Sequence, residues 1–496
     1  MTHFGDERLD EVVSAILPLM PSLGEFYSFK GRLSAYSQQV MHYEPDELHR
    51  HQQKKLKDII SERLTCLFSR AELENISLPA LSSDAGLVAG VVDHQKLMSN
   101  PVQLSVPLVS SFSRLMGRPD TGDILAFATS AVALSEPFNR RAIWLSGHRI
   151  NLYPQRQKDD LLFTAPLAEL DLVDRAKASK CWHLLSRSER RLLEFLTDEI
   201  NSLDLSGCRG LSDQLTRINF RLWPLLFAPS IRERMPNLVQ LDFEDIAARY
   251  LVHLIENEPG SFVVRMLLER EFRDDASASL DGLVGGWDTQ RGLGSHFFWA
   301  HRDARRVSLR LEGDMLRRTD TGEAFPITAS TLIEELESRR WFPGQIVILM
   351  MLFFAGVKPV TGWSLEFVRR LRVTVADVLS RHAPDEAKRL FLVPLDNMNL
   401  MSILKGRGAN GSIEDQSAFD IMLRGGITRE YLEAIDATEF NAFLAPSLID
   451  TYHYAVDKYG SAEVRANRRE FALPADVLHG PLGKLRFDGS MGSLHG

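Results

Sequence analysis

The first residues whose types and spacing suit catalysis follow the short apolar run GLVAGVVDH, at residues 86–94. A run this rich in Val and Gly predicts a buried strand, and polar residues at a strand's exit often form functional sites. Histidine has an unperturbed pKa near ~6.5 and can exchange protons near neutral pH. We therefore predict catalytic roles for Asp93, His94 and Asn100. The alternative is a hydrogen-bonded histidine in a turn.

A second candidate lies in GLGSHFFWAHRD, residues 292–303. Glycines at 292 and 294 permit unusual backbone before His296, which we predict to be catalytic. We predict that His301 and Arg302 bind substrate. Residues five apart point to opposite faces of a strand, or about 140° apart on a helix, so these two histidines are poorly placed to share a metal. The sequence predicts no metal site.

A third candidate is His148–Arg149, which follows the apolar run AIWLS. We predict that both residues bind substrate. If the segments around Val91 and Ile143 were neighbouring strands of one sheet, His94 and His148 would share a rim of that sheet.

A fourth candidate is the GxGxxG pattern formed by Gly406, Gly408 and Gly411, the positions we predict for cofactor binding. Backbone N–H groups in such a loop can bind phosphate. A dinucleotide site also needs a strand directly before the loop and an acidic residue about 20 residues beyond it, and the pattern shows neither. A flexible surface loop is the alternative, and the sequence identifies no particular cofactor.

The sequence motifs of several well-known enzyme classes are absent from this chain. The three cysteines, Cys66, Cys181 and Cys208, form no CxxC pair, which argues against a thiolate zinc site and favours free thiols. The chain contains no GxxxxGK[ST], HExxH or GxSxG sequence. Phosphate-loop, zinc-protease and α/β-hydrolase mechanisms are therefore not supported.

Composition narrows the class of protein further. The 496 residues carry 58 Lys+Arg against 66 Asp+Glu, a net charge of −8, which makes nucleic acid an unlikely partner. Short basic clusters occur at 49–58, 301–310, 369–372 and 465–469, and binding of RNA through the predicted helix near 49–58 is a weaker alternative. The longest apolar run, Ile346–Val357, is well short of the roughly 20 residues that cross a bilayer. With acidic residues before its apolar stretch and no basic n-region, the N-terminus does not resemble a signal peptide. We expect a soluble, cytoplasmic protein without a membrane partner; the oligomeric state is left open.

The pattern of apolar residues predicts a helix-dominated α+β fold, with two strand clusters embedded in long helices and arranged as one or two lobes. Strands are predicted within 86–94 and 142–153 and as a hairpin near 297–313; ILAFATSAVALSE is predicted to be helical and RLFLVPL to be a strand. Ser188, Ser212 and Asp242 are predicted helix N-caps. The predicted segments are a helical part (1–80), a mixed part (81–260), a hairpin with helices (261–475) and a flexible tail (476–496).

These observations predict an enzyme that acts on a small polar or acyl-type metabolite through histidine acid–base catalysis. A transferase is preferred, because the motifs of an activated nucleophile and of a redox cofactor are missing. The alternative is a non-catalytic helical scaffold or regulatory interaction module.

Overall fold

A computed structural model gives the architecture. It describes residues 7–78, 81, 85–115, 122–135, 142–154, 157–283, 286–361, 365–397, 404–407, 413–438, 440 and 444–471. The predicted tail at 476–496 lies outside them, as do Gly408 and Gly411. Helices with strands embedded among them make up these residues, which confirms the helix-dominated α+β class.

The α-helices occur along the whole described chain. In chain order they are α1 (Glu7–Ile16), α2 (Leu23–Ser28), α3 (Leu33–Met41), α4 (Glu47–Leu67), α5 (Arg70–Asn75), α6 (Pro101–Leu115), α7 (Leu172–Ala178), α8 (Arg187–Asn201), α9 (Leu211–Leu222), α10 (Pro229–Arg232), α11 (Phe243–Asn257), α12 (Phe262–Leu268), α13 (Arg270–Leu280), α14 (Ala329–Glu337), α15 (Gln345–Phe354), α16 (Leu365–His382), α17 (Pro384–Arg389), α18 (Ala418–Leu423), α19 (Arg429–Asp436), α20 (Leu448–Tyr459) and α21 (Ala462–Ala466).

The strands are shorter and fall between the helices. They are β1 (Val88–His94), β2 (Ile124–Thr129), β3 (Ala142–Leu145), β4 (His148–Asn151), β5 (Leu238–Asp242), β6 (Phe298–Arg302), β7 (Arg305–Glu312), β8 (Met315–Arg318), β9 (Ala324–Pro326), β10 (Trp341–Pro343), β11 (Lys358–Thr361), β12 (Asp396–Asn397), β13 (Lys405–Arg407) and β14 (Ile413–Asp415).

A parallel sheet occupies the centre of the fold, in the order β12–β11–β1–β2–β5. Numbered by their order in the chain, its strands read 5-4-1-2-3 across the sheet, the arrangement of doubly wound sheets. The first strand is therefore central, and the chain builds outward from it in both directions. Of the two predicted strand clusters, the first contributes β1 to this sheet, whereas the predicted hairpin of the second belongs to a separate sheet.

Helices cover both faces of this sheet. Apolar side chains alternate along the strands between two cores, as Val88 and Ala89 do on β1. Helices α6 and α9 contribute to the core on one face, and α11, α15 and α16 to the core on the other. Burial on both faces explains why the strands have nearly continuous apolar sequences.

Two sequence predictions of secondary structure were wrong. The segment ILAFAT is strand β2 rather than a helix, because a strand buried on both faces lacks the alternation that marks a half-buried one. The segment RLFLVPL is not a strand; α17 ends at Arg389, and turns follow until β12. The rest of the segment predicted to be helical is not a helix either; up to residue 135 it consists of extended chain and turns.

A second sheet is antiparallel, in the order β10–β6–β7–β8–β9, and it contains the predicted hairpin. A connecting segment joins it to the end of β2. In that segment Phe163 N–H donates to the Ser130 carbonyl (2.9 Å), and Leu161 N–H donates to the Ala304 carbonyl (2.7 Å). The tip of the β6–β7 hairpin therefore lies beside the end of β2.

The structure also bears on the predictions of free cysteines and of a chain without a membrane-spanning helix. Cys181 is buried, Cys208 is half-buried and Cys66 is exposed, and all three are free thiols. Among the helices that the structure describes, none combines the length and the apolar character needed to cross a bilayer.

Gly294 gives a test of the turn that precedes β6. Its φ is +74°, and a Cβ there would lie 2.6 Å from Trp287 Cα and closer still to the Gly286 carbonyl oxygen. Gly294→Ala is therefore expected to lower the free energy of unfolding by about 1–2 kcal/mol through backbone strain and by about 1–3 kcal/mol more through overpacking.

Gly292→Ala is the matched control for this substitution. Its φ is +64°, but nothing lies within 4 Å of a Cβ there, so only the strain applies. Urea unfolding of both variants measures the difference; equal losses of stability would contradict the predicted clash.

Candidate active site

The strands of the parallel sheet end together at one edge, which we call the carboxyl edge. There β1 ends at His94, β2 at Thr129, β5 at Asp242 and β11 at Thr361. Since the chain order reverses between β1 and β11, the switch point of the sheet lies at His94's strand. Open α/β sheets bind their ligands outside the carboxyl ends of the strands at this point.

His94 is half-buried and held from two sides. Its Nδ1 lies 3.1 Å from the Thr129 hydroxyl, within hydrogen-bond distance, and its carbonyl accepts from Gln103 Nε2 (3.1 Å). Gln103 belongs to the first turn of α6, so the helix that follows β1 is fastened to the end of that strand. The ring is therefore oriented by a neighbouring strand, and the backbone by the following helix.

The loop between His94 and α6 is fixed by a buried asparagine. Asn219 Oδ1 accepts from Met98 N–H (2.8 Å), while its Nδ2 donates to the Lys96 carbonyl (2.8 Å) and to Gln240 Oε1 (2.7 Å). Asn100 ends the loop, and its carbonyl accepts from Gln103 N–H (3.0 Å) at the start of α6. This anchoring makes the exit of β1 a rigid position for a catalytic group.

Asp93 belongs to β1 and pairs in register with Ala128, while His94 pairs with Thr129. The register shifts between Gly90 and Asp93, where β1 carries an irregularity. The strand does not end before His94, so the two neighbours occupy successive strand positions. The predicted catalytic role of Asp93 stays a prediction.

A buried pair of carboxyl groups adjoins the end of β2. The Ser130 hydroxyl donates to Asp242 Oδ2 (2.7 Å) and lies 3.2 Å from Glu244 Oε2, which also accepts from Ser130 N–H (2.8 Å). Asp242 also caps α11, accepting from Asp245 N–H (3.0 Å), as the sequence predicted. The other two predicted N-caps were wrong, because Ser188 and Ser212 lie in the first turns of α8 and α9. One serine therefore joins the ends of two adjacent strands.

The surroundings make these two carboxyl groups weak acids. Burial, and then the charge of Asp242, raises the pKa of Glu244 to about 8. Burial and the charge of Asp245 also raise the pKa of Asp242. Because two buried carboxylates cannot readily ionise together, the pair retains a proton at neutral pH.

The next acidic residue, Asp245, behaves in the opposite way. Burial alone would raise its pKa, but the hydrogen bond from Arg209 and the charges of Arg209, Arg63 and Arg249 outweigh burial and lower it. Arg209 Nη2 lies 2.6 Å and Arg63 Nε 3.2 Å from Asp245 Oδ2. Asp245 is therefore the ionised centre of a buried charge network.

The antiparallel sheet brings two arginines to the carboxyl edge. Arg306 on β7 lies over the Trp299 ring (4.1 Å) and donates to the Ala131 carbonyl (3.3 Å). Arg339 lies over the Phe163 ring (4.1 Å) and donates to the Phe163 carbonyl (2.9 Å). Cationic groups thus adjoin the strand end whose last residue contacts His94.

The predicted residues of the 292–303 segment lie on β6 or directly before it. His296 is only 4% exposed; its ring stacks on Trp287 (5.0 Å between centroids), and burial lowers its pKa. His301 Nε2 is hydrogen-bonded to the Arg339 carbonyl (2.8 Å), and burial lowers its pKa as well. Arg302 is exposed and lies 3.5 Å from Asp320. Their predicted roles remain predictions.

The segment that contains His148 and Arg149 does not join the parallel sheet. Strands β3 and β4 form a two-stranded sheet in which Leu145 pairs with His148 and Trp144 with Arg149. The neighbours of β1 are β2 and β11 instead, so the condition for a rim shared by His94 and His148 is not met. The lone hydrophobic runs gave no information about which strands pair.

The glycine pattern is described only at Gly406, which lies in β13 and pairs with Glu414 of β14. Gly408 and Gly411 are outside the described residues, so their predicted cofactor role stays a prediction. In the described parts of the chain, no group of three or more His, Cys, Asp and Glu side chains is placed to hold a metal ion.

No protein-family model matches this chain, and no curated protein is significantly similar to it. The carboxyl edge must therefore be interpreted from its own geometry. Four features carry that interpretation: a histidine at the switch point, an anchored loop after it, a proton-holding carboxyl pair, and arginines stacked on aromatic rings.

Sequence reasoning missed the carboxyl pair and the arginines. A signal for the pair was present, since LVQLDFED repeats the pattern of an apolar run followed by acidic residues that identified Asp93 and His94. The arginines gave no such signal. Arg306 reaches a carbonyl 175 residues away in the chain, and only the tertiary fold makes that contact.

Proposed function

We propose that this protein is an enzyme that acts on a small polar or acyl-type metabolite at the carboxyl edge, with His94 as the general acid and base. A group transfer is the preferred reaction. The observation that carries the proposal is the place of His94 at the end of the central strand, beside the switch point of the doubly wound sheet.

The hydrogen bond at Nδ1 supports an acid–base role. A partner at one ring nitrogen fixes the tautomer and the orientation of the imidazole. Thr129 supplies that partner, and the loop held by Asn219 fixes the backbone that carries the ring. General acid–base catalysis typically contributes 10²–10⁴-fold to a rate, which sets the expected effect of removing the histidine.

The experiment begins with a thermal-shift screen of phosphate-bearing, acyl and amino-acid metabolites against the wild-type chain, because a ligand that binds the folded state raises Tm. Turnover of the stabilising compounds is then assayed with acceptor nucleophiles. His94→Gln is expected to lower kcat at least 100-fold while leaving the melting transition cooperative.

His51→Gln is the matched control, because His51 is an exposed histidine on α4. Its kcat is expected to equal that of the wild type. Undiminished turnover in folded His94→Gln would exclude His94 as the proton carrier. A chain that binds none of the compounds would favour the non-catalytic alternative.

A further inference from the structure

Arg306 and Arg339 flank one row of aromatic side chains, formed by Trp299, Phe342 and Phe163. Phe342 pairs with Trp299 between β10 and β6, and its ring lies 5.2 Å from that of Phe163. A guanidinium stacks on each end of this row. Stacking leaves the edges of a guanidinium, where its N–H groups lie, available for hydrogen bonds.

The backbone contacts of the two arginines attach both side chains to the same region of the chain, at the end of β2. Arg306 donates to the Ala131 carbonyl and Arg339 to the Phe163 carbonyl. Phe163 N–H in turn donates to the carbonyl of Ser130, the residue before Ala131. The two guanidinium groups therefore bind adjacent, paired segments at the end of β2.

The charges around the row are unbalanced. Arg306 is exposed, and among the described residues no carboxylate lies within ion-pair distance of it. The carboxylate nearest to Arg339 is Asp245, at 3.5 Å. Asp245 already forms ion pairs with three other arginines, Arg63, Arg209 and Arg249. The other acidic groups that face this region, Asp242 and Glu244, are buried and share the Ser130 hydrogen bonds. An anion is the missing partner.

We propose that Arg306 and Arg339 form an anion-recognition subsite that binds a phosphate or carboxylate group of the metabolite. The planar, forked donors of arginine match both groups and are already oriented by the rings beneath them. The inference deepens the proposed function, on which its catalytic meaning rests. Ala131 lies two residues beyond Thr129, the partner of His94, so an anion held there leaves the rest of a small molecule within reach of the imidazole.

The test is calorimetric titration of the full chain with inorganic pyrophosphate and, separately, with succinate, at constant ionic strength. Wild type is expected to bind one equivalent of one of these anions; pyrophosphate indicates a phosphorylated metabolite and succinate a carboxylic acid. Arg306→Gln is expected to weaken binding at least tenfold.

Arg305→Gln is the matched control. Arg305 carries the same charge at the preceding position of β7 and is exposed, but its side chain points to the opposite face of the strand. Its affinity is expected to equal that of the wild type. No binding by wild type, or equal losses in the two variants, would overturn the subsite. A nucleic-acid oligomer that binds while both small anions do not would also overturn it.

His94→Gln separates the two proposals. It is expected to bind the anion as tightly as wild type, because His94 contacts neither arginine. Retained binding together with undiminished turnover in His94→Gln would leave the subsite intact and refute the role of His94. Unchanged anion affinity in Arg306→Gln, together with the expected loss of turnover in His94→Gln, would refute the subsite and leave His94 as the proton carrier.

Discussion

Asp245→Ala is expected to lower the free energy of unfolding by about 3–5 kcal/mol, the usual cost of leaving a buried charge without its partner. Arg63 has only 4% of its side chain exposed and pairs with Asp245 and Asp213. Asp245 also contacts Arg209, Arg249 and Arg339. Its removal leaves Arg63 and Arg209 paired with Asp213 alone.

The prediction is checked by urea unfolding at pH 7, with Asp274→Ala as the control. Asp274 is half exposed and forms a 3.7 Å pair with the exposed Arg270, so its removal is expected to change stability by less than about 1 kcal/mol. A similar effect in the two variants would show that the buried network contributes nothing specific. Asp245→Asn keeps the shape of the side chain and is expected to fall between the two.

Glu244→Gln is expected to change how stability depends on pH. The pKa of Glu244 is about 8 in the folded protein, against an ordinary value of 4.5. The folded state therefore binds the proton more tightly than the unfolded state, and deprotonation opposes folding. Stability from this group is complete below pH 4.5, falls as pH rises toward about 8, and is constant at its lowest value above that.

The size of the effect follows from the shift. Each pKa unit corresponds to 1.36 kcal/mol, so ionisation of Glu244 costs several kcal/mol by pH 9. Glutamine cannot ionise, and its amide oxygen can still accept from Ser130. Relative to wild type, Glu244→Gln is expected to gain several kcal/mol of stability between pH 5 and pH 9.

Unfolding free energies of both proteins at half-unit pH intervals measure this difference. Glu62→Gln, at an exposed position of α4, is the control and is expected to run parallel to the wild type. If the Glu244→Gln curve also ran parallel, Glu244 would be ionised in the folded protein at neutral pH. The raised pKa of Asp242 acts in the same direction, so part of the wild-type slope persists in the variant.

Secondary structure could be predicted from the sequence where the local pattern of apolar residues matches the way the element is buried. Strand β1 was predictable because its apolar residues end abruptly at polar ones, and the β6–β7 hairpin because Val307 and Leu309 alternate with polar neighbours. Strand β2 was not, because Leu125 and Phe127 are buried on one face of the sheet while Ile124 and Ala126 contribute to the core on the other.

The candidate site was predictable to the same extent. His94 could be placed at a strand's exit from its neighbours in sequence alone. Its partner Thr129 belongs to a strand that was not recognised, and Arg306 and Asp242 reach the carboxyl edge through pairings set by the whole sheet. Strand order depends on contacts between residues far apart in the sequence. The position of the switch point could therefore not be predicted without knowing that β11 pairs with β1.

The order of the parallel sheet also constrains how the protein is made. Strand β1 is central, but its β11 neighbour follows it by more than 260 residues, so during synthesis one side of β1 stays an open edge long after β2 and β5 have emerged. Such distant pairings fold slowly, and unpaired edges associate with other chains. A nascent chain stalled before Lys358 therefore presents a half-built sheet, the state most exposed to aggregation and most dependent on chaperones.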